Sequence, residues 1–129
     1  MKSTAIIILS VLGLLVHSVS AFAQADAMSY SDCVEKYRSG WGEDCSQCAN
    51  WNDSYVVYLK NTCDKAIDVM VCVQEQNKEW KRFQHTSMAS GDSLRAYACI
   101  GTGKYLAWAR RAADESVVFP SIEQVNDEY

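Results

Sequence analysis

Proline is almost missing from this chain, with Pro120 the one example in 129 residues. That excludes a proline-rich linker or a polyproline recognition segment. Histidine is nearly as rare: His17 directly follows an apolar N-terminal run, leaving His85 as the single imidazole beyond it for proton transfer near neutral pH. No serine sits in a G-x-S-x-G setting, and His85, at a strand end in Gln84-His85-Thr86-Ser87, reads as solvated surface. A Ser-His-Asp or Cys-His machine is therefore not indicated, and no spacing singles out a carboxylate pair. Also missing are internal repeats, low-complexity segments, runs of five or six like charges and a second hydrophobic span.

What is present begins with an export signature. Lys2 supplies a positive start, Ala5 to Val16 is apolar apart from Ser10 and Gly13, and Ala21-Phe22-Ala23 offers a small-x-small cleavage pattern. Residues 1–23 are expected to be a signal peptide, bacterial in style, so that the protein is periplasmic or secreted. The dozen apolar residues are too few for a spanning helix, which needs about 20. Cleavage would leave 106 residues, one domain in size, with no membrane attachment. Eleven basic against sixteen acidic side chains then give a formal charge of −5, which argues against a nucleic-acid partner and against anionic lipid.

All six cysteines, Cys33, Cys45, Cys48, Cys63, Cys72 and Cys99, follow the signal. An even number in an oxidising compartment predicts three disulfides. Cys72 and Cys99, each mid-strand on the less aliphatic face, form one expected pair; the other four would tie the N-terminal segment to the sheet, through Cys63.

Residues 24–50 are polar and cysteine-rich and are expected to dock on a β domain spanning 51–120. Ser31, Asp32 and Glu35 predict a helix over 32–39 ending at Gly40, followed by a loop over 41–50. From Trp51 the pattern changes to short strands: 55–59, the alternating 66–74, 79–84, 94–100, 104–110 and 116–119. In the second of these Ile67, Val69, Val71 and Val73 face one way. Gly101-Thr102-Gly103 is read as a hairpin turn; residues 121–129 form a polar tail or short helix. Strands joined by turns rather than helices predict a mainly β fold, a small antiparallel β-sandwich or barrel of five to six strands with a short N-terminal helix, stapled by disulfides.

Four features invite chemical readings. Cys45-Ser46-Gln47-Cys48 is a C-x-x-C, but Glu43 and Asp44 precede it and no βαβ frame follows, so a scaffold role is preferred to redox catalysis. The same motif lacks the second half of a zinc site. Gly101-Thr102-Gly103-Lys104 fails as a phosphate loop because positions 98 and 105 hold Ala98 and Tyr105. Asn52-Asp53-Ser54 matches a glycosylation acceptor that has no meaning behind a bacterial signal. No cofactor or metal is implied. Trp41, Trp51 and Trp108 remain as ligand-contact candidates, because tryptophans on a β-face anchor protein partners or stack on sugars. The expected function is a non-enzymatic binding protein with a protein partner, in the manner of an inhibitor or accessory factor; polysaccharide binding and a redox role at 45–48 are the alternatives.

Overall fold

The computed structural model describes residues 29–129. The expected signal peptide and its cleavage site lie outside the described residues.

Six strands form two antiparallel three-stranded sheets. They are β1 (Val34–Trp41), β2 (Tyr55–Asn61), β3 (Ile67–Glu75), β4 (Trp80–Met88), β5 (Ser93–Ala98) and β6 (Gly101–Arg111). The first sheet has the order β1-β2-β5 and the second β4-β3-β6. Among the described residues there is one α-helix, α1 (Ile122–Glu128), after the strands. The fold is mainly β, as the alternation predicted.

The core follows from period-two side-chain direction. Tyr55, Val57 and Leu59 of β2, the predicted row Ile67, Val69, Val71 and Val73 of β3, and Ala96 and Ala98 of β5 meet between the sheets with Cys33 and Met88. β3 is buried along nearly its whole length because its other face is covered as well. There Met70, Cys72 and Trp80 pack under Val125 of α1. That helix is set by a reciprocal cap: Ser121 Oγ accepts from Gln124 N–H at 3.2 Å, and Gln124 Oε1 accepts from Ser121 N–H at 2.8 Å.

Three expectations are corrected. Residues 32–39 are not helix: a 3-10 turn, Tyr30–Cys33, leads directly into β1, which pairs antiparallel with β2. An eight-residue helix is marginal alone, while the edge of β2 offers a complete ladder of partners. Gly101-Thr102-Gly103 is not a hairpin turn, since β5 and β6 belong to different sheets. The crossing is made at Cys99 and Ile100, whose N–H groups donate to the Glu75 carboxylate at 3.0 and 2.9 Å. Gly101 lies where an added Cβ would come within 2.5 Å of Tyr55 Cβ, and Gly103, at φ +85°, falls in the irregular register between Val73 and Glu75. Residues 116–119 form no strand; Arg110 Nη1 instead donates to Val117 O at 2.6 Å, holding that segment as an irregular strap.

Candidate functional site

Two places on this frame concentrate chemistry. The first is the end of the sandwich where β1 stops and β2 and β6 begin. Trp41 is 57% exposed and Trp51 46% exposed. The Trp41 ring lies 5.0 Å from that of Tyr55, and its Cζ2 stands 3.0 Å from where a Cβ on Gly103 would be. Glycine at 103 is thus what lets the indole lie against β6. Gly42 N–H donates to Ser54 O at 2.9 Å and Ser54 N–H to Trp51 O at 3.0 Å, so the two tryptophans leave the same loop base. Tyr37, 51% exposed, lies elsewhere, at the β1 bulge with its ring 6.1 Å from that of Tyr58 on the outward face of the sheet. Trp108 is elsewhere: it is half-buried on the second sheet beside α1, 6.2 Å from the Tyr129 ring.

The second place is the outward face of the first sheet, crossed by the loop joining β1 to β2. Its side chains are Val56 and Tyr58 from β2 and Arg95 and Tyr97 from β5, opposite in parity to the core row. Tyr58 donates its hydroxyl to Glu43 Oε2 at 2.6 Å, and Arg38 lies 3.3 Å from the same carboxylate. Ser54 Oγ donates to Glu43 O at 2.8 Å, and Arg95 Nη2 to Asp44 O at 2.6 Å. Of the two acids that discouraged a thiolate reading of the C-x-x-C, Glu43 is engaged through its carboxylate, by Tyr58 and Arg38, and Asp44 is held only through its backbone carbonyl.

These bonds deliver Cys45 and Cys48 to the end of β5. Cys48 is bonded to Cys99, while Cys45 is a fully buried free thiol. The three Sγ atoms lie within 4.8 Å of one another. Lys81 Nζ stands 3.8 Å from Cys99 Sγ and 4.6 Å from the Tyr97 ring centroid. The Tyr97 phenol is raised above its ordinary range, first by burial and then by the adjoining Cys45. The Arg95 guanidinium is raised as well: burial opposes this but is outweighed by the Tyr58 hydroxyl and by the charges of Tyr58, Cys45 and Glu43.

No known family model, curated protein or solved structure matches this chain. Its own residues must carry the functional reading.

The expectation of three disulfides gives way to two, Cys33–Cys63 and Cys48–Cys99, with Cys45 and Cys72 free. Cys63 does tie the N-terminal segment to the sheet. Cys72–Cys99 does not form. Cys72 lies on the α1-covered face of the second sheet, whereas Cys99 is not mid-strand but in the turn that follows β5, where the loop carrying Cys48 reaches it. Cys72 is instead sealed beneath α1, its thiol pushed up to about 11 by burial, against the weaker opposing charge of Arg82. Alternation had already set Arg95, Tyr97 and Cys99 on one face, which was the available signal for this cluster. Lys81 and Glu43 had none, since β4 and the loop reach them from distant parts of the sequence.

The disulfides indicate an oxidising, extracytoplasmic setting. Among the described residues no helix is long and apolar enough to cross a membrane.

Proposed function

We propose that this chain is an exported binding protein of a bacterial periplasm or exterior, and that it recognises a protein partner through Trp41 and Trp51. The supporting observation is Trp41: an indole more than half exposed, yet fixed by Tyr55 and Gly103 on a cross-linked frame. A pre-positioned aromatic gives up little conformational entropy on binding. Burying its remaining surface would contribute about 2–3 kcal/mol. Exposed tryptophans on a rigid frame have the composition of interface hot spots.

The test is affinity capture from envelope extracts of the source organism with wild-type protein and with Trp41→Ala. A protein retained by the first and lost by the second supports the reading. Tryptophan fluorescence that responds to soluble glycans, and stops responding in Trp41→Ala, would replace it with sugar binding.

A further inference from the structure

We infer that Cys45, Cys48 and Cys99 form an intramolecular thiol–disulfide exchange site, in which the Cys45 thiolate attacks Cys48 Sγ and releases Cys99. The Cys45–Cys48 bond forms as the Cys48–Cys99 bond breaks. The electron pair of the broken bond leaves with Cys99 as a thiolate, and the proton lost from Cys45 returns from solvent to Cys99. One disulfide and one thiol exist before and after, so no oxidant or reductant is consumed.

Three observations support this direction. The nucleophile is in place, a free thiol within 4.8 Å of both sulfurs of the bond it would cleave. The leaving sulfur has a cation beside it, Lys81 Nζ at 3.8 Å, and thiolates that are better stabilised leave faster. The loop holding the nucleophile is anchored independently of the disulfide, by Tyr58 and Arg38 on Glu43 and by Arg95 on Asp44. The site therefore keeps its geometry while the bond moves. Cys72, the other free thiol, shares none of this: it lies under α1, away from any disulfide sulfur.

The product differs from the starting state in what it connects. Cys48–Cys99 joins the loop to β5 across 51 residues of sequence. Cys45–Cys48 closes only the C-x-x-C and leaves the loop held to the sheet by its hydrogen bonds and ion pair alone. The exchange converts a scaffold bond into a local C-x-x-C disulfide and moves the free thiol from fully buried Cys45 to half-buried Cys99.

The two isomers have equal mass but place the free thiol differently. The wild-type oxidised protein is incubated at pH 8, quenched in acid, alkylated and cut with trypsin. Cleavage after Arg38, Lys60, Arg95 and Lys104 puts Cys45 and Cys48 on one peptide and Cys99 on another. Label on Cys45 with the two peptides linked reports Cys48–Cys99; label on Cys99 with the peptides separate reports Cys45–Cys48. We expect both, with Cys33–Cys63 unchanged. Lys81→Met should slow their approach to equilibrium by roughly tenfold and Lys81→Arg should restore it. Label confined to Cys45 after prolonged incubation overturns the proposal. So does a Cys45–Cys99 bond in place of Cys45–Cys48, or an exchange rate indifferent to Lys81→Met.

Discussion

The two sheets of this protein solve the same problem differently. Each turns one face to the shared core and must cover or solvate the other. The first sheet presents Tyr58, Arg95 and Tyr97 outward and is roofed by a loop held through hydrogen bonds and one disulfide. The second presents Met70 and Cys72 and is roofed by a seven-residue helix seated through Val125. Both roofs share one device, a carboxylate at the entrance: Glu43 under the loop, Asp68 at the start of the strap leading to α1. The difference follows from composition. Residues 42–54 offer few apolar side chains and need covalent and polar ties; Phe119, Ile122 and Val125 supply enough apolar surface to be held by burial. Reactive sulfur is confined to the polar roof, inert sulfur to the apolar one.

The strongest way to break the comparison is to remove the covalent tie. Cys48→Ala with Cys99→Ala frees a 51-residue loop and should cost about 4 kcal/mol by chain-entropy reasoning, read from urea midpoints. If the polar ties alone sufficed, the loss would fall well below that. Cys99→Ala alone should lose less, because Cys45 can still bond Cys48.

Asp68 tests the corresponding entrance on the other side. Its carboxylate accepts from Ser87 N–H at 2.9 Å, Arg110 Nε at 3.1 Å and Ala113 N–H at 3.3 Å. Ser87 and Ala113 both hold positive φ, at 50° and 62°, so one side chain secures two left-handed turns. Asp68→Ala should cost about 3 kcal/mol, since it leaves a largely buried guanidinium and two N–H groups without their acceptor. Burial raises the Asp68 pKa, but these three donors and the Arg110 charge outweigh it and hold it below the ordinary carboxylate value. A depressed folded pKa means that the stabilisation is present above the unfolded value, near 3.8, and disappears as pH falls through the folded one. Asp68→Asn should accordingly flatten the acid limb of the stability profile.

Strand identity was legible wherever alternation was strong, above all in β3. What failed were readings that depended on partners distant in sequence. Val34–Trp41 carries helix-compatible charges, and only the β2 edge makes it a strand. The glycines at 101 and 103 signalled an unusual backbone, but whether that meant a turn or a bulge depended on Tyr55 and Trp41. Cysteine parity placed Cys72 away from the core, but it treated Cys99 as mid-strand when β5 ends at Ala98, so Cys72 and Cys99 were paired across a fold that separates them. Of the three tryptophans named as ligand-contact candidates, Trp41 and Trp51 are exposed, while Trp108 is half-buried beside α1, a seat set by a helix distant in sequence from the other two.

Loosening the apolar roof should leave the first sheet untouched and expose the inert thiol. Val125→Ala removes two buried methyl groups and should cost roughly 1–2 kcal/mol. The sharper reading is chemical. In the native protein Cys72 should resist iodoacetamide, being buried and raised to about 11, and in Val125→Ala its labelling should accelerate while that of Cys45 does not change.

The smallest effect belongs to the cap of α1. Ser121→Ala removes the acceptor for Gln124 N–H and should cost about 1 kcal/mol. The helix holds only seven residues, too few to persist without its tertiary seat, so the loss should appear first as local opening rather than global unfolding. Asn126 Oδ1 accepts from Trp80 N–H at 2.8 Å, which makes that amide the local reporter. Its hydrogen exchange should quicken in Ser121→Ala while the amides of β2 and β5 keep their protection. Equal acceleration in both sheets would mean that the two roofs open as one unit, and the contrast between them would not hold.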